Sequence, residues 1–147
     1  MSEQNKALSK RIIEEVLNQR KLDLIEELVA ANAVVNDPSV PGGKITGRAG
    51  VRQYFEMYLA AFPDLHFTIN DQIAEGDKVV TRYTATGTHK GALMGVAPTG
   101  KRATVTGITF EHFKDGKSAE VWVSGDTLGL LQQLGVVPAM TPAGTPA

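Results

Sequence analysis

The hydrophobic period of this chain changes at Pro63, and no other feature restricts the fold as much. Before it, Val51, Tyr54, Phe55, Tyr58, Leu59 and Phe62 recur at i, i+3, i+4, i+7, i+8 and i+11, the apolar face of an amphipathic helix that stops before the proline. After it, Leu65, Phe67, Ile69 and Ile73 alternate with His66, Thr68, Asn70 and Gln72, the period of a strand. Nearer the N-terminus, Ala7, Leu8, Ile12, Ile13, Val16 and Leu17, then Leu22, Ile25, Leu28 and Val29, predict two short helices. A short strand around Val34 to Asn36 is expected to follow them. Beyond residue 75 the runs VVTRYTATGTHKG, ATVTGITFEHF and SAEVWVS read as strands. EGDK at 75 to 78 and KDGK at 114 to 117 are hairpin turns, and GALMGVAPTGK is a long loop.

Helices first and an antiparallel meander second predict an α+β domain, with helices laid across one face of a curved sheet. Such a sheet closed by helices makes a cone whose hollow suits a small apolar ligand. The 147 residues, 42% hydrophobic, suffice for one domain with its own core, expected over 1–138, with a loose tail at 139–147. Fifteen basic and 16 acidic side chains leave a formal charge of -1, so neither nucleic acid nor an anionic membrane is an expected partner. The absence of cysteine excludes thiol catalysis, thiolate metal sites and disulfides, and fits a reducing, cytoplasmic location. The first 18 residues are charged throughout, unlike a signal peptide, and no window approaches the ~20 apolar residues of a membrane span.

Asp126, in VWVSGDTLGLLQQLG, stands where a strand ends and a Leu-rich helix begins. It has two readings. As a helix N-cap, with Thr127 to Leu134 as the helix and Gly135 as its terminator, it is held as the anion by backbone N–H groups. A carboxylate facing an apolar hollow is instead desolvated and suited to trading protons. Alternation places Ile108, Phe110 and His112 on one face of their strand, and Glu120, Trp122, Ser124 and Asp126 on one face of the next. Folding about KDGK sets His112 opposite Ala119 or Glu120, whereas Asp126 lies about 20 Å from Glu120 along a straight strand. His112 and Asp126 meet only if the sheet bends hard or bulges at Gly125. His89, where a strand passes into the long loop, is a further polar candidate. Three histidines this far apart match no zinc spacing, so no metal site is expected, and neither a GxSxG nor a Walker loop is present.

The stretches GTHKGALMGVAPTGKRATVTGITF and DGKSAEVWVSGDTLGLLQQLG, with the helical half before them, resemble the SnoaL-like polyketide cyclase or ester cyclase family. The likeness runs from about Asn5 to Pro138. It implies a cone-shaped α+β barrel of the nuclear-transport-factor-2 or ketosteroid-isomerase type, a homodimer, and no cofactor. Cyclases of this kind close a ring of a polyketide ester by an intramolecular aldol reaction, with an Asp as acid/base helped by a His. Carried over by motif, the acid is Asp126 and the His is His112. Where the family often shows a histidine before Asp-Pro, this chain has Asn36 before Asp37 and Pro38.

The expected function is therefore cofactor-independent cyclisation of a small, apolar, carbonyl-bearing molecule. Asp126 would be the base and His112 the oxyanion donor, with Trp122, Phe110, Glu120, Tyr58, Met94 and His89 around the substrate. Isomerase or dehydratase chemistry in the same hollow, or binding of a hydrophobic ligand without chemistry, are the alternatives.

Overall fold

A computed structural model describes residues 2–138; the tail expected at 139–147 lies outside the described residues. Helix α1, Ser2–Arg11, runs on without a break into a π-helical stretch, Ile12–Asn18, sealed by the Gln19 N–H donating to the Glu14 carbonyl at 3.0 Å. A 3-10 turn, Leu22–Leu24, leads into the short helix α2, Ile25–Leu28. The second expected helix thus ends one residue early, because Val29 already belongs to a strand. That strand, β1, Val29–Asn36, is longer than the sequence suggested. Its first half, VAAN, carries little β signal; Val29, Ala33 and Val35 hold it by burial against the helices. A three-residue edge strand, β2, Lys44–Thr46, was hidden in the Pro/Gly-rich stretch.

Helix α3, Gly47–Ala61, occupies the expected place and packs on β1. After Pro63 come β3, His66–Glu75; β4, Lys78–Thr88; β5, Arg102–Lys114; and β6, Lys117–Gly125. Both short turns form as read. Lys114 lies opposite Lys117, and Asp115 and Gly116 take φ of 52° and 75°, the left-handed pair that an Asp-Gly turn provides most readily. The chain then enters α4, Thr127–Gln133.

The six strands form one sheet in the order β2-β1-β6-β5-β4-β3. One expectation, that of an antiparallel sheet, needs correction. The sheet is mixed, because β1 pairs parallel with β6; the chain from α3 through β5 supplies the long crossover that a parallel pair requires. It is also open, with β2 and β3 as its two edges. The odd-numbered side chains of β4, from Val79 to Gly87, are buried, and Lys78, Arg82 and other even-numbered ones face outward. Two apolar clusters result. One joins Ile12, Val16, Ile25 and Leu28 to β1 and Val51; the other joins Phe62 and Leu65 to Tyr83, Ala85, Leu130 and Leu134. No helix among the described residues is long and apolar enough to cross a membrane.

Candidate active site

Members of both clusters wall a cavity of about 210 Å³. Its walls are mostly apolar, from Ile12, Val35 and Val51 on one side to Phe62, Ala103 and Leu130 on the other. Carboxylates enter at three places.

The first is Asp37, just past β1 and only 6% exposed. In Asp-Pro-Ser the carboxylate folds back on its own chain: Oδ1 accepts the Ser39 N–H at 2.9 Å and the Ser39 hydroxyl at 2.7 Å. Oδ2 accepts the Tyr54 hydroxyl at 2.5 Å, and Ser39 Oγ lies 3.3 Å from the Tyr58 hydroxyl. Tyr54 and Tyr58, one helical turn apart on α3, meet edge to face at 5.3 Å. With Tyr83, all three tyrosines of the chain line this cavity. Burial, then donation to Asp37, drives the Tyr54 phenol far above its ordinary range; burial also raises Tyr58. Burial, with the charges of Tyr58 and Asp37 behind it, pushes Tyr83 up to about 12. All three therefore remain hydrogen-bond donors at neutral pH.

The second is Glu111 on β5, which takes the Ser9 hydroxyl at 2.7 Å on one oxygen and the Ser118 hydroxyl at 2.5 Å on the other. Burial raises its proton affinity above the ordinary carboxylate range, and the two serines offset part of that rise. The third is Asp126, an exposed residue on the cavity wall. Its Oδ1 accepts the Gly129 N–H at 2.9 Å, so it caps α4. No bond to Oδ2 forms among the described residues, which leaves that oxygen free for a ligand. Among the described residues no group of three His, Asp or Glu side chains is placed to hold a metal ion.

Of the residues singled out in the sequence, Asp126 and Tyr58 line the cavity; the other six do not. His112 stands opposite Glu120, as expected, but its Nε2 pairs with Asp77 Oδ2 at 2.7 Å on the exposed side of the sheet. That bond holds the Asp77 carboxyl below its usual range. Gly107 lies opposite Gly125, so His112 is five residues, about 17 Å, along β5 from the Asp126 end of the hairpin. Phe110 and Trp122 pack edge to face at 5.8 Å on the same outward face, 40% and 44% exposed. Glu120 accepts Asn36 Nδ2 at 2.9 Å. Met94 is an exposed loop residue. His89 is wholly buried beside Phe62, where its Nδ1 accepts the Thr99 N–H at 3.2 Å and fastens the long loop. For His112, Phe110, Glu120 and Trp122 the reason is the face. Side chains alternate as read, but the inward set is Thr109, Glu111, Val121 and Val123, and a bulge between His112 and Phe113 shifts the register of β6. Asp37, Glu111 and Tyr83 had not been singled out.

The family model for SnoaL-like polyketide cyclases matches residues 7–134. The chain belongs to that family. Among solved structures, this SnoaL-like protein is similar to AclR of Streptomyces galilaeus, a proposed hydroxylase, at 30% identity and a TM-score of 0.81, over 96% of this chain and 87% of that one. It is similar to IdmH of Streptomyces antibioticus, a proposed polyketide cyclase, at 33% identity and a TM-score of 0.78, over 90% and 99% of the two chains. A proposed SnoaL-like cyclase from Jannaschia sp. CCS1 shares the fold at 22% identity and a TM-score of 0.85, over 93% and 95%. No curated protein matches the sequence. The expected nuclear-transport-factor-2-like α+β class thus stands.

Proposed function

We propose that this SnoaL-like protein cyclises a small, apolar, carbonyl-bearing ester by acid/base chemistry of its own side chains, without a cofactor. The observation that carries this reading is Asp126: one oxygen caps α4 and is thereby fixed, while the other makes no hydrogen bond among the described residues at a mostly apolar cavity. An anchored carboxylate of this kind is placed to act on a bound substrate. Asp126 removes a proton from the carbon alpha to a carbonyl. The resulting enolate carbon attacks a second carbonyl carbon of the same molecule, forming a C–C bond as that carbonyl's π electrons move to its oxygen. The proton on Asp126 then passes to the new alkoxide, leaving a hydroxyl and restoring the base. Asp126→Asn keeps the cap and removes the base, so ring closure of a polyketide-like ester, followed by product chromatography, should fall by about 10²-fold or more. Turnover close to that of the wild type contradicts the reading.

Binding without chemistry is the second reading, favoured by the cap bond itself, which explains Asp126 without a reaction. It predicts that apolar ligands raise the melting temperature and that the Asn variant is indistinguishable in every assay.

A homodimer also forms part of the proposal. Ile73, Val80, Phe110 and Trp122 lie opposite one another in successive strands, an apolar row across the outward face that a second copy could cover.

A further inference from the structure

With His112 bonded to Asp77 on the exposed side, the proposed reaction lacks a donor for the negative charge that develops on the substrate. Tyr83 stands where one is needed. It is 9% exposed, it lines the cavity, and its hydroxyl makes no hydrogen bond among the described residues. Its position is built into the sheet. Tyr83 lies opposite Gly107 on β5, and Gly107 lies opposite Gly125 on β6. A Cβ at Gly107 would come within 2.3 Å of the Tyr83 hydroxyl oxygen, and one at Gly125 within 3.4 Å. The two side-chain-free positions open a notch into which the phenol extends across β5. The hydroxyl therefore ends beside the backbone of Gly125, the residue that precedes Asp126.

We propose that the Tyr83 hydroxyl donates a hydrogen bond to the enolate oxygen formed when Asp126 takes the alpha proton, and so is the oxyanion donor of this site. A preorganised donor beside developing charge in a mostly apolar cavity is among the strongest contributions available to an enzyme. A phenol that stays protonated at neutral pH can fill that role throughout the cycle. A structural tyrosine would spend its hydroxyl on a protein partner, and among the described residues this one has none. The proposal rests on the reading of Asp126 as the base, but it is tested separately.

The test compares wild type and Tyr83→Phe for binding of 4-nitrophenolate, an oxyanion on a flat apolar body, and of nitrobenzene, the same body without the oxygen. Loss of the donor should weaken 4-nitrophenolate about tenfold or more and leave nitrobenzene unchanged. The ring stays in place, so the melting temperature should hold. With a cyclisable ester the variant should lose kcat more than KM. Asp126→Asn should retain the Tyr83-dependent preference for the phenolate even where it has lost turnover. If that variant turns over normally while the preference persists, the base assignment fails and the donor survives. Equal 4-nitrophenolate affinity of wild type and Tyr83→Phe, measurable or not, overturns the proposal, as does a fall in melting temperature with nitrobenzene binding lost alongside.

Discussion

Asp37 and Tyr54 meet at 2.5 Å inside the cavity, a buried carboxylate from the end of β1 held by a phenol from the middle of α3. The contact ties the strand that carries the Asp-Pro-Ser turn to the helix that covers it. Tyr54→Phe leaves one oxygen of a buried carboxylate without its donor, and should cost about 1–3 kcal/mol of stability. Chemical denaturation checks this; an unchanged midpoint would show that water or another group replaces the phenol.

Glu111 makes stability depend on pH. Its folded-state proton affinity is raised by burial above the ordinary value of 4.5, so the native state binds a proton that the unfolded chain has released. The contribution is fully present below that ordinary value and is lost as pH rises through the raised one. Glu111→Gln has no charge to bury, and its amide can still serve both Ser9 and Ser118. Melting curves from pH 4 to 8 should therefore diverge, with the variant gaining on the wild type as pH rises. Parallel curves would mean that the two serine bonds fully compensate the burial.

The outward row of Ile73, Val80, Phe110 and Trp122 predicts a dimer that a charge would break. Trp122 is 44% exposed, so Trp122→Glu should leave the fold intact and convert a dimer into a monomer by light scattering. A monomeric wild type at micromolar concentration contradicts the interface.

Much of this fold can be read in advance, because period and turn chemistry are local signals. The change at Pro63, the Asp115-Gly116 turn and the Asp126 cap each depend on residues close in sequence. The parallel pairing of β1 with β6 was not legible, since it joins Val35 to Val121 across the whole intervening chain and no local pattern records it. His112, Phe110 and Trp122 lie off the cavity wall through one choice of face. The family motif points to His112, and alternation places Phe110 on its face with Trp122 on the matching face of the next strand, whereas β4 holds the signal for which face is inward. Lys78 and Arg82 face outward and Tyr83 and Ala85 inward, and the pairing of β4 with β5 sets Val79 against Glu111 and Tyr83 against Gly107. Following that alternation would have selected Glu111, Thr109 and Tyr83. Asp37 needed the tertiary fold, because only packing brings it to Tyr54.

The account depends most on Asp126 as a working base, and the proton it would move can be followed directly. In D2O, wild-type protein should exchange the alpha protons of a polyketide-like keto ester for deuterium well above the buffer rate, and Asp126→Asn should slow that exchange by about 10²-fold while its melting temperature stays within about 2 °C. Equal exchange by the two proteins would contradict the account and leave Asp126 as a helix cap alone.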